Sequence, residues 1–125
     1  MLSRPILLGC AVQRPVTQPT ALLVGFSAED RIEVGMPFAT ARCERLPYTL
    51  LHAALASKTG TDLVVSPLVT PMFDALDMAS QLALGGYRGR YMVVTPALPR
   101  PEMIRVEIAQ LCPGTTVELV RRARH

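Results

Sequence analysis

The chain lacks tryptophan altogether, carries one lysine (Lys58), and has only three tyrosines and three phenylalanines in 125 residues. So few aromatics argue against a stacking platform for single-stranded nucleic acid. Cysteine is also scarce. Cys10, Cys43 and Cys112 are an odd number with no Cys-x-x-Cys spacing, which excludes a disulfide framework or a zinc ribbon and reads as reduced thiols. No apolar run approaches the ~18–20 residues of a membrane span. With 50% hydrophobic and 18% charged residues, the composition is too apolar for a disordered chain.

The net charge of +3 is carried almost wholly by arginine, and the basic residues scatter. The exception is the tail Arg121-Arg122-Ala123-Arg124-His125. As a solvated end it needs no partner, and as a basic patch Arg121, Arg122 and Arg124 suit phosphate contacts. The segment Leu7-Leu8-Gly9-Cys10 has the look of a lipoprotein cleavage box. The apolar stretch before it is shorter than the ~7–15 residues an export signal uses, so a cytoplasmic, non-membrane protein is expected.

What is present is regular. Residues 1–20 read as an N-terminal arm and linker, with a short apolar run at Ile6–Val12 and proline-spaced polar residues after it. From residue 21 to 125 one α/β domain is expected. Strand-length apolar runs stand at Ala21–Phe26, Asp62–Ser66, Arg90–Thr95 and Thr115–Val120, with a more polar edge strand at Ala39–Leu46. Helices are expected at Tyr48–Lys58, at Thr70–Leu84 with Thr70 as N-cap, and from Pro101 to Leu111. Strands alternating with helices at this spacing imply βαβ units and a parallel sheet. Ligands on such sheets sit beyond the strand carboxyl ends, here Gly25-Phe26, Ser66-Pro67 and Thr95-Pro96. Gly85–Arg90 is glycine-rich, but it follows a helix and precedes a strand, so a turn is expected rather than a phosphate cradle.

The run Leu63-Val64-Val65-Ser66-Pro67, the proline at Pro71, the segment Asp74-Ala75-Leu76-Asp77-Met78 and Val93-Val94-Thr95 resemble, in order, the receiver domain of bacterial response regulators. The resemblance implies a flavodoxin-like, three-layer-derived, five-stranded parallel sheet and a phosphorylation switch built from an aspartate, an acidic pair, a hydroxyl and a lysine. In this chain Pro67 stands at the acceptor position with Ser66 beside it. Gly25 and Phe26 stand where the acidic pair would be, no lysine follows the last strand, and Thr95 alone matches. Proline has no nucleophilic atom, and arginine at 121 is not an equivalent point charge. The expectation is a degenerate, non-enzymatic receiver-like module without metal or cofactor. It would act in signalling through protein contacts. A small-molecule or anion sensor at Ser66 and Thr95, and a nucleic-acid accessory using the arginine tail, are the alternatives.

The family's first and fifth helices have no convincing counterpart here, so helices are expected mainly on one face. Consecutive apolar positions at Leu22-Leu23-Val24, Leu63-Val64-Val65 and Met92-Val93-Val94 nonetheless ask for burial on both faces. A homodimer through Leu23, Val24, Val64 and Val93, or cover by residues 1–12, is the expected answer.

Overall fold

Aliphatic and β-branched runs bounded by glycine or proline dictate where this chain extends. The computed structural model describes residues 19–27, 30, 41–57 and 60–122. Among the described residues five strands form: β1 (Thr20–Val24), β2 (Arg42–Leu46), β3 (Thr61–Pro67), β4 (Arg90–Thr95) and β5 (Thr116–Arg121). All pair in parallel, in the order β2-β1-β3-β4-β5. That is the flavodoxin-like order, with a switch point between β1 and β3. The polar strand β2 takes an edge, as its composition predicts.

Three helices among the described residues accompany the sheet: α1 (Leu51–Ser57), α2 (Ala75–Leu84) and α3 (Pro101–Leu111), with a 3-10 turn at Tyr48–Leu50 leading into α1. Their buried residues, Leu51, Leu55, Met78, Ala79, Leu82 and Ile108, join Leu22, Val24, Val64, Tyr91, Val93 and Val117 in one core cluster. All three helices therefore cover the same sheet face. The alternate strand residues, Ala21, Leu23, Leu63, Val65 and Met92, form a second cluster, flanked by Phe26, Ala41, Val94 and Val120. Both faces are apolar because side chains alternate along each strand.

Several expectations change. The second helix begins at Ala75, not near Thr70. Asp74 caps it, and the Asp74 and Asp77 side chains accept from each other's backbone N–H in a capping box. Along α2, Met78, Ala79 and Leu82 face the core while Leu76 and Ala83 are exposed. On α3, Ile104 and Ile108 face the core, while Leu111 is 42% exposed and the following Cys112 is buried. β1 stops at Val24 because Gly25 adopts φ +88°, outside the extended region.

The four residues assigned to a partner face do not share one. Val24, Val64 and Val93 lie under the helices and Leu23 on the opposite side. A period of two sends neighbours to opposite faces, so a consecutive apolar run cannot define a single surface. None of the four exceeds 3% exposure, and the whole second cluster stays at or below 6% within one chain. The premise of a wet aliphatic face awaiting a second copy is not met. Residues 1–18, which include the expected N-terminal strand and most of the arm, lie outside the described residues, as do Lys58 and Arg124.

Candidate functional site

The carboxyl ends of β1 and β3 meet at the switch point, where a flavodoxin-like sheet offers its crevice. Gly25 lies against the Pro67 ring: a Cβ added to it would stand 3.3 Å from Pro67 Cδ and 2.6 Å from Phe73 Cζ. Phe73 therefore occupies the space above Gly25, and only glycine permits both the backbone angle and the approach. Phe73 in turn stacks on Tyr48, with ring centroids 4.5 Å apart and planes 13° from parallel. An aromatic pair and a proline fill the place where carboxylates would gather round a phosphoryl group.

The two hydroxyls singled out from the sequence are present but turned inward. Ser66 is fully buried, donates to the Pro67 carbonyl at 3.0 Å and lies 2.6 Å from the Tyr91 hydroxyl. With its own proton engaged, Ser66 accepts from Tyr91. Burial pushes the Tyr91 phenol well above its usual range, with the Ser66 bond opposing the shift. Thr95, 4% exposed, donates to the Pro96 carbonyl at 2.7 Å. Phe26 packs on the second cluster. Gly25, Pro67, Ser66 and Thr95 are thus gathered at the strand ends as the resemblance implies, but no reactive group is aimed outward among them.

Between β3 and α2 the chain makes a stapled loop. Val69 bridges Asp74 in antiparallel fashion. The Thr70 hydroxyl donates to the Phe73 carbonyl at 2.9 Å and accepts from the backbone N–H of Met72 and Phe73. Thr70 is therefore the centre of a turn, a local alternative to helix capping. The staple holds Val69 at 70% and Met72 at 77% exposure.

A second polar network ties the strand ends together. In the Ser27–Asp30 turn, Asp30 N–H donates to the Ser27 carbonyl and the Asp30 carboxylate accepts from Ser27 N–H at 2.8 Å. Arg45 of β2 donates to the Ser27 and Asp30 carbonyls, and Arg122, just past β5, pairs with the Asp30 carboxylate at 2.9 Å. These bonds, chiefly the one from Ser27 N–H and then that from Arg122, hold the Asp30 carboxyl below its usual range. Asp30 is thus a turn and bridge residue.

Next to this network the ends of β3, β4 and β5 enclose an open cleft of about 550 Å³. Pro67, Leu68, Val69, Val94, Pro96 and Ala97 form its walls, with Arg121 and Arg122 at one side. Arg122 is engaged by Asp30, whereas the Arg121 side chain has no hydrogen-bond or ion-pair partner among the described residues. Sequence reasoning named Pro67 and Pro96 at the strand ends but missed Tyr48, Phe73 and the cleft walls Leu68, Val69 and Ala97. The signal was there only in part: a strand-end Gly opposite a strand-end Pro leaves a hole, but nothing local says which side chain fills it. His52 is exposed on α1, as expected of a solvated helix histidine. The glycine-rich Gly85–Arg90 segment is a turn at the amino end of β4, where the Tyr87 hydroxyl donates to the Arg90 carbonyl at 2.7 Å. Among the described residues no group of three or more His, Cys, Asp or Glu is placed to hold a metal ion, and no helix is long and apolar enough to cross a membrane.

No family model, curated protein or solved structure matches the chain. The fold and the geometry of the strand ends therefore carry the functional reading alone.

Proposed function

We propose that the chain is a non-enzymatic, receiver-like interaction module that works in signalling without aspartyl phosphorylation. The supporting observation is the switch-point crevice filled by the Tyr48–Phe73 stack against Gly25 and Pro67. A phosphoryl-transfer site needs acids for Mg²⁺ and an aspartate nucleophile, and an apolar plug excludes both the cation and its water. The partner, a signalling protein or a second copy of the chain, docks on the loop that presents Val69 and Met72. That loop is apolar, exposed and held rigid by Thr70, so little ordering entropy is lost on binding.

Incubation with acetyl phosphate and Mg²⁺, followed by intact-mass spectrometry, tests the reading. No phosphoryl adduct is expected. A stoichiometric adduct on Ser66 or a neighbouring acid would overturn it. Phosphate contacts by Arg121, Arg122 and Arg124 are the weaker reading, because Arg122 is already bound to Asp30.

A further inference from the structure

We propose that the cleft at the ends of β3, β4 and β5 binds a small aliphatic carboxylate, its tail against Leu68, Val69 and Val94 and its carboxylate on Arg121. This inference shares Val69 with the docking loop but does not rest on the interaction reading. It starts from volume and lining. About 550 Å³ lies within the ~300–1,000 Å³ of small-molecule sites, which are mostly apolar with a few placed polar groups. The walls here are aliphatic side chains and prolines, and they offer no side-chain hydrogen-bonding group of their own.

The polar end is supplied by Arg121, with Arg122 beside it. The Arg122 backbone N–H donates to the Thr95 carbonyl at 2.8 Å, which fixes the chain just past β5 against the end of β4. Arg121 is the register partner of Thr95, so its backbone is set by the sheet rather than by a free tail. Its guanidinium is unpaired among the described residues, while that of Arg122 is committed to Asp30. One free guanidinium offers a planar fork that matches a single carboxylate.

A bare phosphate fits less well. The Ser66 and Thr95 hydroxyls, which would read its oxygens, donate instead to the Pro67 and Pro96 carbonyls. An uncharged aliphatic molecule would leave Arg121 unused. The arrangement of an apolar trough with one cation at its side therefore selects a molecule with both features. Apolar contact keeps the tail dry, and the charge fixes its direction.

Isothermal titration calorimetry of the full chain with octanoate, octanol and inorganic phosphate is the experiment. Octanoate should bind saturably at one site, with octanol at least tenfold weaker and phosphate unable to displace it. Arg121→Gln should weaken octanoate at least tenfold. Ala97→Leu, which narrows the cleft at an exposed position, should abolish binding. Circular dichroism should show both variants folded. Absence of saturable octanoate binding, displacement by phosphate, or equal affinity in Arg121→Gln would overturn the proposal.

Discussion

The two faces of the sheet are built from the same strands and are held in different ways. On the helix-covered face, fifteen of the described buried residues, from four strands, three helices and the flanking Phe73 and Cys112, form one cluster, which is crossed by the buried Ser66–Tyr91 pair. On the opposite face, five buried residues cluster among those described, all small to medium and all from β1, β3 and β4. Polar bonds supplement them. Arg45, which alternates with Ala41 on that side of β2, and Arg122 past β5 both grip the Ser27–Asp30 turn. One face relies on packed volume, the other on a thinner apolar layer with a polar clamp spanning the sheet from edge to edge. Hydrophobic burial scales with area, so the first face should dominate stability.

The sharpest way to break this comparison uses adjacent residues. Val93 is fully buried under the helices, while Val94, next to it, is half-buried beside the cleft. Val93→Asp should remove roughly 3–5 kcal/mol, because an unpaired charge is forced into an apolar cluster. Val94→Asp should lower stability far less. Urea melts of the two variants decide it, and equal losses would mean that the alternation of faces is misassigned. The next effect is smaller and lies on α2. Leu82→Ala should destabilise by about 2–4 kcal/mol, whereas Leu76→Ala, at 39% exposure, should stay below about 1 kcal/mol.

That last pair also shows how far the sequence could be read. The order of elements and the parallel sheet followed from strand-length apolar runs separated by helical patterns. Burial of both faces followed from Leu63-Val64-Val65 being apolar without a break. The register of α2 did not follow. Thr70-Pro71 carries a strong helix-start pattern, yet Thr70 bonds Phe73 and the capping box at Asp74 begins the helix four residues later. Two start signals competed, and the strand-like bridge between Val69 and Asp74 decided between them. Gly25 and Pro67 were each legible as strand-end residues, but the occupant of the space between them was hidden. Phe73 and Tyr48 come from separate loops, and only the tertiary fold brings their rings together.

A third effect tests the polar tie within the packed face. Tyr91→Phe removes the hydroxyl 2.6 Å from Ser66 but leaves Ser66 donating to the Pro67 carbonyl. No buried donor is orphaned, so the loss should be about 1 kcal/mol. Ser66→Ala is the more disruptive of the two, because it strands the Tyr91 hydroxyl in a buried site. Comparing the two denaturation midpoints reports the direction of the bond. A larger loss in Tyr91→Phe would reverse the assignment of Tyr91 as the donor.

The smallest effect should come from the clamp, and it is distinguishable by pH. The folded Asp30 carboxyl titrates below its usual value of 3.8, held there by Ser27 N–H and Arg122. A depressed folded value means that protonation favours the unfolded chain. The contribution is therefore fully present above about pH 4 and is lost as pH falls through the lower folded value. Arg122 is 47% and Asp30 32% exposed at the side chain, so solvent screening holds the pair to at most about 1 kcal/mol. Asp30→Asn keeps the size of the side chain and removes its charge. Near neutral pH the variant should be slightly less stable than the parent, and the gap should close as the pH falls through the lowered folded value, where the parent carboxyl becomes protonated as well. High salt should narrow the neutral-pH gap, because an exposed pair is screened. A gap that persists unchanged in acid would show that the turn is held by its backbone bonds and that the charge adds nothing to the thinner face.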